Sequence, residues 1–202
     1  MAAAIQAARL GLSTTLVERD RLGGQALAAP WIENYPGFPE GITGKDLMSV
    51  FERQLKNWPV KVVFGEAKDL ASHDAKCVIL AAGLTPKLAG IPGEIPYGDP
   101  DRVDHAGKSV LVIGGGDAAF DLAWGFARNA RSVTIGMRSE TPRALPKLVG
   151  RATSAGVTVR TNWSPADISY DVVISCIGKE AKHPLLEKAK KAPGVLLAGA
   201  IC

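Results

Sequence analysis

The stretch "KSVLVIGGGDAAFDLAWGFARNARSVTIGMR", residues 108–138, decides the fold class of this 202-residue chain. The apolar run 109–113 predicts a strand, which three consecutive glycines end. The alanine- and leucine-rich segment after them predicts a helix, and the run 132–136 predicts a second strand. Strand, glycine turn, helix and strand in this order indicate a βαβ unit of a doubly wound α/β fold.

The glycines of this unit follow the pattern G-x-G-x-x-A, with Gly114, Gly116 and Ala119 at its defining positions. The first glycine permits the tight turn, the second lets a pyrophosphate approach the backbone, and the alanine lets helix and strand pack closely. The first turn of the helix offers N–H groups and the positive end of the helix dipole to an anion. The pattern predicts a dinucleotide-binding loop; the alternative is a glycine turn that only packs helix against strand.

The end of the second strand distinguishes between dinucleotides. NAD sites place an acidic residue there for the ribose 2′-hydroxyl, whereas NADP sites place an arginine near the 2′-phosphate. Arg138 is nearest to the strand end and Arg143 is the second candidate, so NADP is favoured. Glu140 lies between them and keeps NAD open. The alternative is that both arginines are solvated residues of a surface loop.

Residues 1–18 match the second half of another βαβ unit. Residues 2–10 predict a helix, 14–17 predict a buried strand, and Glu18 follows at the strand's end. An acidic residue there suits the ribose of a dinucleotide without a 2′-phosphate, such as FAD. The strand and glycine loop that open such a unit would precede Met1.

The remaining chain alternates strand and helix patterns. We expect a helix at 46–55 with Thr43 as its cap, a helix within 142–156 and a short one within 183–192. Strands are expected within 60–65, 76–83, 157–161, 171–178 and 194–202. The proline- and glycine-dense stretch 84–102 is the best linker candidate.

Composition excludes several classes of function. The net charge of +4 is too small and too scattered to indicate a nucleic-acid partner. No apolar run is long enough to span a membrane and no secretory signal is visible, so we expect a cytoplasmic protein. The three cysteines are far apart and suggest a reducing compartment. The histidines have no ligand-like spacing with them, and we expect no metal site.

With these residues assigned, the chain resembles the low-molecular-weight thioredoxin reductase-like flavoproteins, which include one class of ferredoxin–NADP reductases. The matching stretches occur in family order and include most of the chain. They are "AAIQAARLGL", "LVER", "GGQ", "IENYPGFPEGITGKDL", "VILAAGLTPKLAGIPGE", "GKSVLVIGGGDAAFDLA" and "DVVISCIG".

This resemblance implies a doubly wound, Rossmann-like FAD domain, residues 1–104 and 193–202, split by an inserted NAD(P)H-binding domain, residues 105–192. Electrons would pass from NADPH through FAD to a protein acceptor. The residues implied to contact FAD are Glu18, Gly23, Gly24, Gln25, Asn34 and Gly83. Those implied to contact NADP(H) are Gly114, Gly116, Asp117, Ala119, Arg138 and Arg143. Tyr35 is a candidate stacking partner for the flavin ring; the alternative is a tyrosine packed within its own loop.

The sequence departs from the family pattern at three points. The FAD glycine loop would precede Met1, and Ala200 stands where the family has a flavin-binding aspartate, so the FAD domain is expected to be incomplete at both ends. The segment before the second glycine loop, "YGDPDRVDHAGK", lacks the redox-active C-x-x-C of thioredoxin reductases, and three isolated cysteines do not provide a dithiol.

The predicted function is therefore that of an NADPH-linked, FAD-dependent oxidoreductase without a redox dithiol, closer to the ferredoxin–NADP reductase branch. An acidic, ferredoxin-like protein is the expected acceptor, and the family implies a homodimer. The lysines of residues 179–193 are candidates to dock such an acceptor, although such a run is more often a solvated helix face. The alternative is a truncated or split remnant that binds NADP(H) without flavin chemistry.

Overall fold

The computed structural model describes residues 1–70, 75–97, 103–165 and 169–198. Contacts divide the chain into two compact units. Unit 1 comprises Met1–Gly24, Asp46–Thr85 and Glu180–Cys202, and unit 2 comprises Gln25–Lys45 and Pro86–Lys179. None of the described helices is long and apolar enough to cross a membrane.

Short strands and five α-helices make up the described chain. The strands are β1 (Thr14–Glu18), β2 (Val60–Phe64), β3 (Val78–Leu80), β4 (Thr85–Pro86), β5 (Ile95–Pro96), β6 (Ser109–Ile113), β7 (Ser132–Gly136), β8 (Thr158–Arg160), β9 (Val172–Ser175), β10 (Lys179–Glu180) and β11 (Val195–Leu197). The α-helices are α1 (Ala2–Arg9), α2 (Gly44–Lys56), α3 (Asp117–Phe126), α4 (Pro146–Ser154) and α5 (Leu186–Ala189), and Gly24–Ala28 forms a 3₁₀ turn.

Unit 2 is built on a five-stranded parallel sheet in the order β5-β9-β6-β7-β8. Successive residues of β6 alternate between its two faces. Val110 and Val112 pack with α3 on one face, whereas Leu111 and Ile113 pack with Ile91 on the other. A strand covered on both faces is expected to be apolar throughout, as β6 is.

Helix α3 packs tightly on this sheet because its inner face is small or apolar. Ala119, Phe120 and Ala123 have no exposed surface. Ala119 thus occupies the position that the glycine pattern reserves for close helix–strand packing. The predicted strand–glycine–helix–strand unit is therefore present as β6, α3 and β7.

The segment 25–45 packs within unit 2, against the helices that follow the glycine loop. A Cβ added to Gly125 of α3 would lie 2.6 Å from the ring of Pro30. The carboxylate of Glu33 also forms an ion pair with the ammonium of Lys147 of α4 at 3.1 Å. Residues 25–45 therefore belong to unit 2 by their contacts. The limits and roles of the predicted domains stay predictions.

The prediction of a linker at 84–102 is wrong for its central part, while residues 98–102 lie outside the described residues. Ile95 and Pro96 form β5, which pairs with β9. Ile91 is 9% exposed and lies in the core cluster of Leu111 and Val173. The proline- and glycine-rich stretch therefore packs on the sheet as a turn and a short strand. Pro96 is compatible with that strand because β5 lies at the edge of the sheet, where proline is tolerated.

Unit 1 contains two separate pairs of parallel strands, β1 with β2 and β11 with β3. The first pair packs with α1 and with Leu55 of α2, and the second packs with Leu185 and Ala189. The predicted helix at the start of the chain, the helix at 46–55 and the short helix within 183–192 are all present.

Candidate nucleotide-binding site

The loop after β6 begins at Gly114, where the backbone requires glycine. Its φ is +145°, and its N–H donates to the carbonyl of Gly136 at 2.9 Å. A Cβ at this position would collide with the carbonyl oxygen of Cys176, the residue directly after β9. Gly114 therefore allows the turn to pass against the end of the neighbouring strand.

Gly116 is the N-cap of α3 and faces open space. Its φ is −99°, no side chain caps the helix, and a Cβ there would meet nothing within 4 Å. An uncapped helix of ten residues leaves its first N–H groups available to an anion. This is the cradle that a pyrophosphate needs at the second glycine of the pattern.

A second segment is tied to this loop by backbone bonds. The N–H groups of Arg143 and Ala144 donate to the carbonyl of Gly115 at 2.8 and 3.1 Å. The carboxylate of Asp117 accepts from the N–H of Leu145 at 2.8 Å. The bonds to Gly115 therefore hold Arg143 beside the loop, and Asp117 connects the start of α3 to the residue that precedes α4.

Arg138 and Arg143 are both exposed, and neither has a carboxylate within ion-pair distance among the described residues. The residue before Arg138 is held in the sheet, because Met137 is 2% exposed and its N–H donates to the carbonyl of Arg160 at 3.0 Å. The sulfur of Met137 lies 3.1 Å from the position of a Cβ on Gly115. Arg138 therefore lies two residues beyond β7, and the backbone of Arg143 is bonded to the glycine loop.

On the other side of β6, the end of β9 is fixed by a buried polar group. Ser175 has no exposed surface and its hydroxyl donates to the carboxylate of Glu94. The same carboxylate accepts three backbone N–H groups, at 2.9, 2.6 and 2.9 Å, from residues 89–91. Burial alone would raise the pKa of Glu94, but the hydrogen bond from Ser175 and the three backbone bonds together hold it below its usual value. Glu94 stays ionised and anchors the turn before β5.

Three further side chains meet just beyond β9. The N–H of Cys176 donates to the carbonyl of Ile113 at 2.7 Å, which ties it to the strand before the glycine loop. Tyr97 donates its backbone N–H to Ser175 at 3.1 Å, and the ammonium of Lys179 lies 4.3 Å from the Tyr97 ring centroid. Burial raises the pKa of the Cys176 thiol and that of the Tyr97 phenol to about 12 each. Both groups are therefore neutral at physiological pH.

A charged cluster lies on the outer side of α3. Arg151 of α4 donates to Asp121 at 2.9 Å and lies 3.6 Å from Glu33. Its guanidinium also stacks 4.4 Å from the ring of Trp124, and its Nε is buried without a hydrogen-bond partner. Burial raises the pKa of Asp121 to about 6, and the charge of Arg151 opposes that rise.

The residues predicted to contact FAD are distributed over both units. Glu18, Gly23, Gly24 and Gly83 belong to unit 1, and Gln25, Asn34 and Tyr35 belong to unit 2. Glu18 ends β1 as predicted, and its carboxylate accepts the N–H of Asp20 at 3.0 Å. Gly23, Gly24 and Gly83 all have positive φ. The three glycines therefore adopt conformations that favour glycine, and Glu18 ends a strand.

Tyr35 lies in the loop 33–39, which lines a shallow open groove of its own together with Asn34. The Tyr35 side chain is 42% exposed, and its ring lies 6.2 Å from that of Phe38 at a tilt of 43°. Both interpretations of Tyr35, as a flavin-stacking residue and as a loop-packing residue, fit this geometry.

By contrast, all six residues predicted to contact NADP(H) lie in unit 2 around one loop. The sequence alone did not predict a role for the side chains that lie beside the glycine loop at the end of β9. Ser175, Cys176 and Lys179 could have been found by their position at the carboxyl end of a predicted strand, where ligands bind in such folds. Glu94, which bonds to Ser175, and Tyr97, which lies under Lys179, belong to the stretch 84–102 for which the composition predicts a linker. No group of three or more potential metal ligands occurs in the described part of the chain.

A family model described as pyridine nucleotide-disulphide oxidoreductase matches residues 1–198. The chain belongs to this family.

Curated relatives are similar over much of the chain. Thioredoxin reductase of Mycolicibacterium smegmatis is 33% identical over 195 residues, 84% of this chain and 61% of the relative. Thioredoxin reductase of Bacillus subtilis is 33% identical over 173 residues, 75% of this chain and 54% of the relative. The chain thus spans little more than half the length of these relatives.

Solved structures show the same fold. The chain aligns with thioredoxin reductase of Lactococcus lactis in its FR conformation with a TM-score of 0.84 and 23% identity, covering 98% of this chain and 86% of that one. The thioredoxin reductase of T. acidophilum gives a TM-score of 0.82 at 22% identity, with 98% and 85% covered. The predicted fold class, α/β and Rossmann-like, is confirmed, as is the resemblance to the thioredoxin reductase-like family.

Members of this family bind FAD and a nicotinamide dinucleotide. The loop after β6 fits the dinucleotide, since Gly116 leaves open space at an uncapped helix N-terminus beside two unpaired arginines. The FAD residues permit a weaker test. Glu18 lies at a strand end as a ribose ligand should, and Gly23 and Gly83 take backbone conformations that suit close approach of a ligand.

Proposed function

We propose that this chain is an NADPH-dependent flavoprotein oxidoreductase that passes electrons from NADPH through FAD to a protein acceptor such as a ferredoxin, without a dithiol of its own. The observation that carries the proposal is the glycine loop at the carboxyl end of β6. There Gly116 and the free start of α3 face open space, Arg143 is bonded through its backbone to Gly115, and Arg138 follows the neighbouring strand β7.

The roles of the nucleotide-side residues follow from their positions. Gly114 and Gly116 leave room for the pyrophosphate, which the first N–H groups of α3 would bind. The backbone bonds to Gly115 keep Arg143 beside the loop, and Asp117 accepts from the N–H of Leu145. Arg138 and Arg143 would bind the 2′-phosphate and so favour NADP(H) over NAD(H).

The flavin-side roles are proposals from the family. Glu18 would bind the ribose of FAD, and Gly23, Gly24, Gln25, Asn34 and Gly83 would contact the remainder of the cofactor. When bound, FAD supplies the one- and two-electron redox chemistry that the side chains lack. Tyr35 would cover one face of the flavin ring.

The thiols of this chain support an acceptor that needs no dithiol. The sequence contains no C-x-x-C. Thiol–disulfide exchange needs a thiolate, and the buried Cys176 thiol is protonated at neutral pH because its pKa is raised to about 12. Cys77 is an exposed free cysteine, and Cys202 lies outside the described residues.

The test is a visible absorption spectrum of the purified chain, first alone, then with FAD, then with NADPH added under argon. The expected result is a bound-flavin spectrum that NADPH bleaches. Gly116→Val is the matched control, because it should hold flavin yet resist bleaching. Electron transfer is then measured with a 2Fe–2S ferredoxin and with oxidised thioredoxin, and only the ferredoxin should be reduced.

A second candidate function is NADP(H) binding without flavin chemistry. It is favoured by one observation: the nucleotide residues are gathered around one loop, whereas the predicted FAD residues are distributed over both units. A colourless protein that binds NADP⁺ and ignores FAD would decide for this candidate. Bleaching of a bound flavin would decide against it.

A further inference from the structure

The strand order of unit 2 assigns the two halves of the dinucleotide to different strands. From β6 the chain proceeds to β7 and β8 on one side, whereas β9 and β5 lie on the other, so the order reverses between β6 and β9. Dinucleotides bind across such a reversal point, outside the carboxyl ends of the strands. With Arg138 and Arg143 at the β7 side for the adenosine half, the nicotinamide half faces the end of β9. This step rests on the proposed function.

Lys179 is the cation at that end. It follows β9 by four residues, and its ammonium lies over the ring of Tyr97 at 4.3 Å from the centroid. Tyr97 is itself fixed to β9 through its backbone bond to Ser175. The ring thus forms a platform that keeps the ammonium at the sheet edge, since a cation is attracted to the face of an aromatic ring.

Cys176 connects this platform to the glycine loop. Its backbone bonds to Ile113, and its Cβ would lie 3.3 Å from a Cβ placed on Gly114. The Cys176 thiol and the Lys179 ammonium also influence each other's titration. Residues 175 and 176 therefore connect the glycine loop on one side with the Tyr97–Lys179 pair on the other.

The charge of Lys179 is not compensated by a carboxylate. No carboxylate among the described residues lies within ion-pair distance of it, whereas the neighbouring Glu180 pairs with Lys182 at 3.8 Å. Lys179 is half-buried, and this partial removal of its ammonium from water lowers its pKa. A half-buried cation without an anionic partner is suited to an anionic ligand.

We propose that Lys179 binds the nicotinamide mononucleotide half of NADP(H), donating charge-assisted hydrogen bonds from its ammonium to phosphate and ribose oxygens of that half. Tyr97 positions the ammonium. The glycine loop and the two arginines then hold the adenosine half, and Lys179 determines where the nicotinamide end lies.

Calorimetric titration of the 202-residue chain with two probes tests this. NADP⁺ carries both halves, whereas adenosine 2′,5′-bisphosphate carries only the adenosine half. Lys179→Met should weaken NADP⁺ binding about tenfold and leave the affinity for the bisphosphate within about twofold. Lys179→Arg should restore most of the NADP⁺ affinity. The matched control is Lys182→Met, since this lysine is 78% exposed and belongs to the same segment.

Each outcome decides. If Lys179→Met leaves both affinities unchanged, the ammonium serves only to cover Tyr97 and the proposal is overturned. If both affinities fall together, Lys179 supports the loop rather than the ligand, which also overturns it. If the unsubstituted chain binds the bisphosphate but NADP⁺ no more tightly, the nucleotide site stands and the Lys179 inference fails alone. If it binds neither probe, the proposed function fails as well. Lys179→Gln, with far-ultraviolet circular dichroism of each variant, separates a loss of binding from a loss of folding.

Discussion

Unit 1 and unit 2 both contain parallel strands, but the strands of unit 2 are much more deeply buried by neighbouring strands and apolar side chains. In unit 2 the central strand β6 has neighbours on both edges and apolar clusters on both faces. In unit 1 each described sheet has two strands, and Ile79 of β3 and Leu196 of β11 are 44% and 58% exposed. Isolated strand pairs are marginal, whereas a covered five-stranded sheet is a stable support. The nucleotide loop therefore lies on the better supported of the two units.

Amide hydrogen exchange tests this comparison most directly. We expect the amides of β6 and β9 to exchange more slowly than those of β3 and β11 by about three orders of magnitude or more, because opening β6 exposes the larger core. The measurement is exchange followed by mass spectrometry of peptides that contain each strand. Equal protection of the two sets would show that the units share one cooperative fold.

Within unit 2, Gly114→Ala should cause the largest loss of stability among single substitutions at the loop. The new Cβ would require an L residue at φ +145° and would collide with the Cys176 carbonyl, which is backbone and cannot rotate away. We expect a loss of about 3 kcal/mol or more in the free energy of unfolding. Urea denaturation measures it, and Gly150→Ala, whose Cβ would meet nothing within 4 Å, is the control.

The pH dependence of stability tests the burial of Asp121 of α3 beside Arg151 of α4. The pKa of Asp121 is raised from 3.8 to about 6 in the folded chain, so the folded state binds the proton more tightly than the unfolded state. The stability that this proton confers is fully present below about pH 4 and is lost as the pH rises through 6. At about 1.4 kcal/mol for each pKa unit, the loss is at most about 3 kcal/mol.

Asp121→Asn should abolish that part of the profile, measured as the difference between the two proteins in urea denaturation at pH 4 to 7. Arg151, Glu33 and Asp117 all face Asp121 and are present in both proteins, so the difference isolates the one carboxyl. Identical profiles would mean that Asp121 titrates in its ordinary range and that its burial does not contribute to the pH dependence.

Gly116→Val should separate binding from folding. Valine is sterically acceptable at this position, because the backbone φ is −99° and an added Cβ would meet nothing within 4 Å. We therefore expect the free energy of unfolding to change by less than about 1 kcal/mol. The isopropyl group would fill the space in front of α3, and NADP⁺ affinity should fall about 100-fold. Calorimetric titration and thermal melting of the same sample check both statements. Unchanged affinity would remove the loop from the nucleotide site.

The features that the sequence predicted correctly are those encoded locally. The pattern from Gly114 to Ala119 lies within one βαβ unit, and its strand, helix and glycine conformations are as expected. The same local logic applies to Glu18 at the end of β1.

Contacts between distant residues were not predictable in the same way. Glu94 meets Ser175 across 81 residues, and the Pro- and Gly-rich stretch around Glu94 has the composition of a linker. Glu33 contacts Arg151 through a salt bridge that no periodicity encodes. A single sequence contains no signal for such pairs, because composition and periodicity describe neighbours along the chain.

Arg138→Gln should have the smallest effect of these substitutions, measured as a change in NADP⁺ affinity. It tests the difference between the ends of two corresponding strands, β1 and β7. β1 ends in Glu18 and β7 is followed, after Met137, by Arg138, so the helix–strand pairs α1–β1 and α3–β7 are followed by opposite charges at corresponding points. Loss of one exposed guanidinium should weaken NADP⁺ about tenfold and leave NAD⁺ within about twofold, because only NADP⁺ carries the 2′-phosphate. Glu140→Gln, which removes a nearby exposed charge of the other sign, should raise the affinity for NADP⁺ slightly. If Arg138→Gln weakens both dinucleotides equally, the arginine acts on the shared pyrophosphate, and Arg143 becomes the sole candidate for the 2′-phosphate.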